Sequence, residues 1–479
     1  MSSFAMLEIG KRALQANNFG LDVTSSNIAN SDTEGYSRRR AIASEARPFA
    51  KFGLRIGTGV DMESLRSFRQ EYLDREVRKA NARSASYEMD VLFYDSVETI
   101  FQEPTDTNIG EVINKLLYYF DELALQPESI GLRDNLLSMA QTFIERLNST
   151  SNDLYQMRRQ ANTDLINQVD EANKLIDSIK EYNKAIAISK DPSRNDCLTY
   201  IDKREVAIEA LSKLGNVSVS YEDNGLANVF MNGIDVVTGL TSKTLMVKEN
   251  INESTNESTL DVVTYNEKRD FMIVVNPVTG KMASSQQQYN ILLNPNNSST
   301  SFSIVQTLDK YVATFANTIN SLLSKGYGLN DETGEPPGRI LFDSTSGVIT
   351  AGSIKVSDSI KDGVDIPLSA TAGAPGNSAI ALEISRLLQD GRFLENQSPI
   401  EFYSNYIGKI SQKAHEADTG NKSMKLVLGH LDSTRNSVMG VNLEEEGINI
   451  IKYQKILEAA SRIVATTSDV LSTIINLGR

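Results

Sequence analysis

The stretch that decides the fold runs from residue 443 to residue 477 and reads LEEEGINIIKYQKILEAASRIVATTSDVLSTIINL. Its apolar residues recur at seven-residue spacing in two adjacent rows, Leu443, Ile450, Leu457, Val464 and Leu471 in the first and Ile456, Ile463, Val470 and Leu477 in the second. This spacing predicts an amphipathic helix that packs lengthwise against other helices, as in a coiled coil. Because two rows make the apolar face too wide for one partner helix, the sequence predicts more than one neighbour.

The start of the chain carries a matching but weaker stripe. Its members follow the same seven-residue spacing: Leu7, Leu14, Leu21 and Ile28. The stripe is interrupted by Gly10, Asn17 and Gly20. Since most chain ends fray, amphipathic helices at both termini predict an assembly protein whose ends are buried against other subunits. A coiled coil within one monomer is the competing interpretation, and the interrupted stripe argues against it.

The N-terminal stripe runs out into a polar turn with a recognisable order of residues. The helix ends in Asn27-Ile28-Ala29-Asn30, and after four polar residues the chain continues with Gly35-Tyr36-Ser37-Arg38. Gly35 stands where such a turn needs a positive φ. These residues resemble the N-terminal signature of the bacterial flagellar rod, hook and hook-associated axial proteins. Within that family the Tyr36-Ser37-Arg38 version is similar to the hook-associated protein 1 group, since rod and hook proteins more often carry Phe-Lys after the glycine.

The C-terminal helix agrees with this resemblance. Residues 440–446 (GVNLEEE), Tyr453-Gln454 and Ala459-Ala460 are similar to the C-terminal helix of the family, which also ends in leucine. The chain departs from the family pattern at Ser31-Asp32 and Glu34, where relatives often have Val-Asn and Pro. The resemblance is strongest at the two ends, and the order of segments between them gives weaker support.

Composition narrows the function classes. The chain has 479 residues with 40 % hydrophobic content, which allows several domains with real cores. Its net charge of -14 argues against a general binder of nucleic acids or anionic membranes. The single cysteine, Cys197, excludes an internal disulfide and a cysteine-rich zinc site.

The lack of recognisable targeting signals and the family resemblance lead to opposite predictions about where the protein is located. No early segment has the pattern of a cleaved signal peptide, and no apolar run is long enough to span a bilayer. Composition alone therefore predicts a cytoplasmic protein. The resemblance implies a secreted protein of the extracellular bacterial flagellum, because axial proteins leave the cell through a type III export channel without a cleaved leader.

Long stretches without glycine or proline lie between the termini, at residues 61–103 and 132–191. Both predict long helices. In the second stretch a seven-residue seam slips by four residues, passing from Ala140, Leu147, Leu154 and Ala161 to Leu165, Ala172, Ile179 and Ile186. Such a slip is a stutter, which locally relaxes the supercoil. Helices of this length are typical of an elongated molecule.

Strand signals interrupt the helices twice. From residue 217 apolar residues alternate, and Asp223-Asn224-Gly225 and Asn232-Gly233 predict hairpin turns. We expect strand character to continue to residues 291–293, with an exposed polar loop at residues 250–259. A second interruption is rich in Gly and Pro and occupies residues 330–376.

The predicted fold class is α+β. We expect an elongated, multi-domain chain with a long coiled-coil or bundle core from both chain ends and inserted β-rich domains. The predicted divisions are a terminal coiled-coil inner domain (1–40 with 440–479), a long-helix domain (41–215 with 300–329 and 377–439), an inserted β-rich domain (216–299) and a smaller inserted β/loop segment (330–376). The resemblance implies that the terminal helices lie innermost and the β domains outermost.

Candidate chemical sites have simpler explanations. His415 begins like a zincin helix, but the position of the required second histidine holds Thr419, so His415 and His430 are interpreted as solvated helix residues. Cys197 has no identifiable partner and is interpreted as a structural thiol. The run Arg38-Arg39-Arg40 fits an acidic-partner patch and a solvated strand face equally well. The sequence therefore predicts no enzyme, no cofactor and no metal site.

The function implied by the resemblance is structural. The chain would join the flagellar hook to the filament and polymerise through the two terminal stripes. The implied partners are further copies in a ring or helical homo-oligomer, the hook protein, a second junction protein (hook-associated protein 3) and a flagellar export chaperone, with no nucleic acid and no membrane insertion. A hook or distal-rod subunit is the nearest alternative, and a secreted adhesin that binds through the β insertions is an alternative of a different class.

Overall fold

The computed structural model describes residues 3–51, 54–101, 108–188, 195–266, 271–389 and 393–477. The α-helices are α1 (Ser3–Ala29), α2 (Glu71–Phe101), α3 (Ile109–Leu125), α4 (Ile130–Ile188), α5 (Asn195–Leu214), α6 (Lys281–Gln287), α7 (Ile304–Leu323), α8 (Ala379–Gln389), α9 (Pro399–Met439) and α10 (Leu443–Leu477). The strands are β1 (Arg39–Glu45), β2 (Phe49–Lys51), β3 (Leu54–Ile56), β4 (Val60–Ser67), β5 (Val217–Tyr221), β6 (Ala227–Met231), β7 (Ile234–Thr238), β8 (Thr241–Ser242), β9 (Leu245–Asn252), β10 (Glu257–Asn266), β11 (Phe271–Val274), β12 (Phe342–Ser344) and β13 (Ile354–Val356). Long helices with small sheets match the predicted α+β class.

The larger hydrophobic core lies among the long helices α2, α3, α4, α7, α8 and α9. Helix α4 has 59 residues, which makes it about 90 Å long. Near its start the ring of Phe143 lies 5.2 Å from that of Phe315 on α7 and 6.3 Å from that of Phe342 on β12, measured between ring centroids. The segment after α7 is therefore packed onto the helices through an aromatic cluster.

The seam of α4 contributes to two cores, and the change from one to the other falls between Leu154 and Ala161, ahead of the slip. Ala140, Leu147 and Leu154, which precede the slip, belong to the helical core. Ala161, the last residue before the slip, and Leu165 and Ala172, which follow it, belong to a second core shared with α5 and the strands β6, β7, β9 and β10. All residues of both predicted seams are buried. One long helix thus presents apolar residues to two different sets of neighbours in turn, and the predicted slip lies within the part that faces the second set.

Two antiparallel sheets lie between α5 and α6, in the orders β5-β6-β7-β8 and β11-β10-β9. The predicted Asn232-Gly233 turn connects β6 to β7, with φ values of 48° and 79°. Positive φ at both central residues is the geometry of a tight hairpin turn. The hairpin prediction is confirmed at this turn.

Three local predictions are wrong, and each failure has a physical reason. Residues 250–259 are largely paired strands rather than a loop, because polar cross-strand contacts replace apolar ones; Asn250 Nδ2 donates to Asp261 Oδ2 at 2.7 Å. Ile291, predicted as strand, lies in a π-helical turn (Gln288–Leu292) that continues α6. Residues 61–103 are not one helix, because β4 pairs with β1 before α2 begins. The absence of helix breakers permits a helix without requiring one.

The segment between α7 and α8 is tied to the start of α4 by a buried arginine. Arg133 donates from Nε to Pro127 O at 2.6 Å and from Nη1 to Ile366 O at 2.7 Å. Burial lowers the pKa of the Arg133 guanidinium to about 10. Beside it, the backbone N–H of Gly363 donates to Asp134 Oδ1 at 3.2 Å. The start of α4 thus satisfies backbone groups of a segment far away in the chain.

The beginnings of the last two long helices are capped by side chains. Ser398 and Glu401 form a capping box at α9, in which each side chain accepts from the other residue's backbone N–H. Asn442 Oδ1 accepts from the backbone N–H groups of Glu444 and Glu445 at the start of α10. Within the described part of the chain, no helix is both long and apolar enough to cross a bilayer.

Candidate assembly interface

The two terminal helices pack against each other lengthwise. A Cβ atom added to Gly10 of α1 would lie 2.7 Å from Val464 Cγ2, and one added to Gly20 would lie 2.6 Å from Tyr453 Cε1, both on α10. Since the later residue of α1 is beside the earlier residue of α10, the helices are antiparallel. We call this pair of helices the terminal hairpin.

Glycine makes the close approach of the two helices possible. Neither distance leaves room for a methyl group, so any side chain at Gly10 or Gly20 would have to displace the side chain of Val464 or Tyr453 on α10. Ala16 and Ala460 are also buried. The glycines that interrupt the predicted apolar stripe therefore lie where the two helices touch, and they do not weaken the pairing as the sequence analysis assumed.

The predicted interface residues fall into two groups. Those that are half-buried in the terminal hairpin are Leu7, Leu14, Leu21, Ile28, Ile450, Ile456, Leu457, Val464 and Leu471. Those that stay exposed are Leu443, Ile463 and Val470. Leu477 ends α10, and its side chain lies outside the described residues. The row that begins at Leu443 is thus half-buried against α1 from Ile450 onward. In the other row Ile456 is half-buried, Ile463 is exposed but keeps its Cγ2 methyl group beside Gly10, and Val470 is exposed.

One side of α10 presents apolar side chains to solvent. Four isoleucine or valine side chains on it are between 44 and 66 % exposed: Ile448, Ile463, Val470 and Ile474. At 3.6 residues per turn, their spacing keeps them on one side of the helix. We call this set the open flank. The sequence analysis missed Ile448 and Ile474, because it followed strict seven-residue rows and these two lie beside them.

The polar turn after α1 forms a hydrogen-bonded corner. The buried Asn27 side chain donates from Nδ2 to Arg39 O at 2.9 Å and accepts at Oδ1 from Arg39 N at 3.0 Å. The Tyr36 hydroxyl also donates to Asn27 Oδ1 at 2.8 Å, and burial raises the pKa of Tyr36. The last turn of α1 is thereby fixed to the first residue of β1.

Two consecutive arginines extend from this corner in different directions. Arg38 donates from Nε to Glu446 Oε1 and from Nη1 to Glu445 Oε2, both at 2.7 Å, so it binds the start of α10. Arg39 donates from Nη2 to Asp202 Oδ2 at 3.1 Å, so it binds α5. Burial lowers the pKa of Arg38, but the two glutamates outweigh this effect and raise it overall. Both arginines carry charges that the chain itself neutralises.

The acidic side of the corner is buried. Burial raises the pKa of the Asp202 carboxyl above its usual value, while Arg69 and Arg39 offset part of that shift. Arg69 Nη1 lies 3.6 Å from Asp202 Oδ1, and its Nε donates to Asp74 Oδ2 on α2 at 3.0 Å. A chain of ion pairs therefore connects β1 to both α5 and α2. Sequence reasoning missed Asp202 and Glu446, since partners this far apart leave no local pattern.

Gly35 occupies the position predicted to need a positive φ, and its φ is 75°. A Cβ atom there would overlap Val206 on α5. The other candidate residues stand apart from the corner: His415 and His430 are exposed on α9, and Cys197 is buried in α5. Among the described residues, no group of three or more His, Cys, Asp or Glu side chains is arranged to hold a metal ion.

Comparison with protein-family models identifies the family to which this chain belongs. The family model of the flagellar hook-associated protein FlgK helical domain matches residues 94–337, just over half of the chain. The chain belongs to this family. A model of flagella basal body rod proteins matches residues 7–36, the part of α1 and the turn that carries the predicted signature. Residues 27–38 predicted a flagellar axial protein of the hook-associated group, and the match to the FlgK family confirms this prediction.

Relatives of the FlgK family align with nearly the full chain. A flagellar hook-associated protein 1 from Bacillus subtilis is 26 % identical over 514 aligned positions, which cover 99 % of this chain and 98 % of the relative. That of Salmonella typhimurium is 20 % identical, with 98 % of both chains covered. The solved structure of the flagellar hook junction protein FlgK from Burkholderia pseudomallei shares the fold, with a TM-score of 0.61, 13 % identity, and coverage of 76 % of this chain and 100 % of that one.

Proposed function

We propose that the chain is a structural subunit of the bacterial flagellum that joins the hook to the filament. Membership of the FlgK family and near-complete alignment with hook-associated protein 1 sequences support this role. The structural observation that carries it is the open flank of the terminal hairpin. Exposed apolar sets of this kind mark surfaces that bind other proteins.

Assembly proceeds, in this proposal, by burial of the open flank against neighbouring copies. The terminal hairpin uses one side of α10 for α1 and leaves the adjacent side free. Head-to-tail contacts that use such a surface in every copy build rings or helical arrays. The proposed assembly interface is centred on the open flank, where Ile448 and Ile474 extend the predicted rows, and it includes the parts of those rows on α1 and α10 that the terminal hairpin leaves accessible. The predicted domain boundaries likewise remain a proposal.

The partners follow from the proposed location. They are further copies of this chain, the hook protein and hook-associated protein 3, with an export chaperone before secretion through the type III channel. Family membership supports assembly with hook components. A non-enzymatic role fits this proposal, since polymerisation requires surfaces and no bond chemistry.

Immunogold labelling of detached flagella tests the location. A junction subunit gives a few gold particles at the distal end of the hook, whereas a hook subunit labels the whole hook. An adhesin outside the flagellum gives no labelling there. Labelling along the whole hook, or none on flagella, would overturn the proposal.

Hydrogen exchange tests how the terminal hairpin behaves before assembly. In dilute monomer we expect residues 7–28 and 450–477 to exchange faster than the large cores, through brief openings of a terminal hairpin that is otherwise formed, because α1 and α10 contribute no residue to those cores. Amides in the middle of α4, which lie in those cores, are the internal control and should exchange slowly. Exchange at both chain ends as slow as in α4 would show that the terminal hairpin opens only when the large cores unfold.

A further inference from the structure

The corner after α1 determines how the terminal hairpin is held relative to the long helices. The chain passes between them at residues 30–38 and again at residues 440–442. Both connections are short and irregular, so their backbone alone does not fix a direction. Side-chain contacts must therefore supply the orientation. Val23 packs against Leu65 and Leu198, and Arg12 binds Asp61; the corner adds hydrogen bonds and ion pairs to these contacts.

Asn27 acts there as a substitute for a strand partner. Its amide group donates to the C=O of Arg39 and accepts from the N–H of the same residue. This is the pair of bonds that a neighbouring strand residue makes in an antiparallel ladder. Because both bonds go to one residue, the end of α1 is held in both position and direction relative to β1.

Arg38, which precedes β1, and Arg39, its first residue, point to opposite sides of the chain. Successive side chains of an extended chain point to opposite sides. Arg38 accordingly reaches Glu445 and Glu446 on α10, while Arg39 reaches Asp202 on α5. The backbone N–H of Arg38 also donates to Met439 O, the last residue of α9, at 2.9 Å. One dipeptide therefore holds the terminal hairpin on one side and the long helices on the other.

We infer that Asn27, Arg38 and Arg39 are positioning residues that set the angle between the terminal hairpin and the long helices. This inference rests on the proposed function, because the angle decides which surface of a neighbouring copy the open flank meets. It also gives a role to the signature residues, which sequence analysis used for recognition alone. The sequence analysis interpreted the run Arg38-Arg39-Arg40 either as a patch for an acidic partner or as a solvated strand face. Arg38 and Arg39 fit neither interpretation, because they bind acidic residues of their own chain. Arg40 is exposed.

The test is a distance measurement across the corner in the full-length chain. Spin labels at Gln15→Cys on α1 and Glu88→Cys on α2, both exposed positions, report the angle in a Cys197→Ala background. We expect a narrow distance distribution for this parent. Asn27→Ala and Arg39→Gln should broaden it, and both should lose binding to the ends of purified hooks. Arg40→Gln, on the same strand but exposed, is the matched control and should change neither measurement.

Loss of the Arg39 charge leaves Asp202 buried without that partner, which could unfold the region. The double variant Arg39→Gln/Asp202→Asn removes both charges and separates positioning from folding. It should keep the parent melting temperature and still show the broad distribution. An unchanged distribution in the double variant and in Asn27→Ala would overturn the inference.

Two further outcomes distinguish the inference from the proposed function. A broad distribution with normal binding to hooks would show that these residues set the angle but that assembly does not depend on it; this would overturn the link between the angle and the open flank and leave the assembly role intact. Failure of the proposed function would appear instead with substitutions on the open flank, which do not touch the corner. The two failures therefore arise in different variants and in different measurements.

Discussion

Cells that produce Ile463→Asp are expected to keep their hooks and to shed filament subunits into the medium. Ile463 lies on the open flank and is 44 % exposed in the isolated chain. Burying an isoleucine against a neighbour stabilises by about 1.5 to 3 kcal/mol, and an unpaired carboxylate at the same place would cost a few kcal/mol more. Since every copy repeats the contact, the defect should abolish assembly.

The isolated Ile463→Asp chain should remain folded. Neither large hydrophobic core contains a residue of α10, so the melting temperature of the purified variant should stay near that of the unsubstituted chain. Ser461→Asp is the matched control, because it adds the same charge two residues away at an exposed position on the other side of α10. Thermal unfolding and electron microscopy of the cells provide the two measurements.

Two results would contradict this expectation. Global unfolding of Ile463→Asp would place the terminal hairpin within the cooperative core of the monomer. Normal filaments on cells that carry the variant would mean that the open flank is not the assembly interface. A defect of equal size in Ser461→Asp would show that added charge, rather than loss of an apolar contact, disturbs assembly.

Regular spacing in the sequence predicted the helical part of the fold well. The α4 seam was correct in both halves, including the slip between Ala161 and Leu165, because side chains that share one side of a helix are set by local geometry. What the seam packs against was not predictable: α4 passes from one core to the other between Leu154 and Ala161, ahead of the slip. The identity of a neighbouring element depends on packing between distant segments, and periodicity does not contain that information.

Strand prediction failed where polar residues take part in pairing. Residues 250–259 lack the apolar alternation used to recognise strands, yet Asn250 and Asp261 bond across the hairpin. Conversely, Ile291 and its neighbours are apolar enough for a strand and instead continue α6 as a π-helical turn. Short apolar runs fit strands and buried helical turns equally well, and tertiary contacts decide between them.

The candidate assembly interface was also predicted only in part from the sequence. Row spacing identified most of the apolar residues on α10 but could not tell which row α1 covers. Gly10 and Gly20 were taken as weak points because sequence spacing gives no sign of a close helix approach. The ion pair between Arg39 and Asp202 joins residues that are 163 positions apart, so no local pattern announces it.

The largest loss of stability is expected for Phe143→Ala, which removes the fully buried ring that contacts Phe315 and Phe342. Truncating a buried phenylalanine costs about 3 to 5 kcal/mol, because lost apolar contact is added to the cost of a cavity. The midpoint of urea unfolding should fall accordingly. Tyr118→Ala is the matched control, since Tyr118 is an aromatic residue that is mostly exposed on α3.

Phe143→Ala and Ile463→Asp should have opposite profiles if the chain separates stability from assembly. Phe143→Ala lowers the free energy of unfolding, but the fraction that stays folded keeps its terminal hairpin and corner, so it should still bind hook ends. Ile463→Asp should keep its stability and lose that binding. If Phe143→Ala lost hook binding while still folded, the aromatic cluster would have to influence the terminal hairpin through α4. An unfolding midpoint as high as that of Tyr118→Ala would instead mean that the core closes around the missing ring.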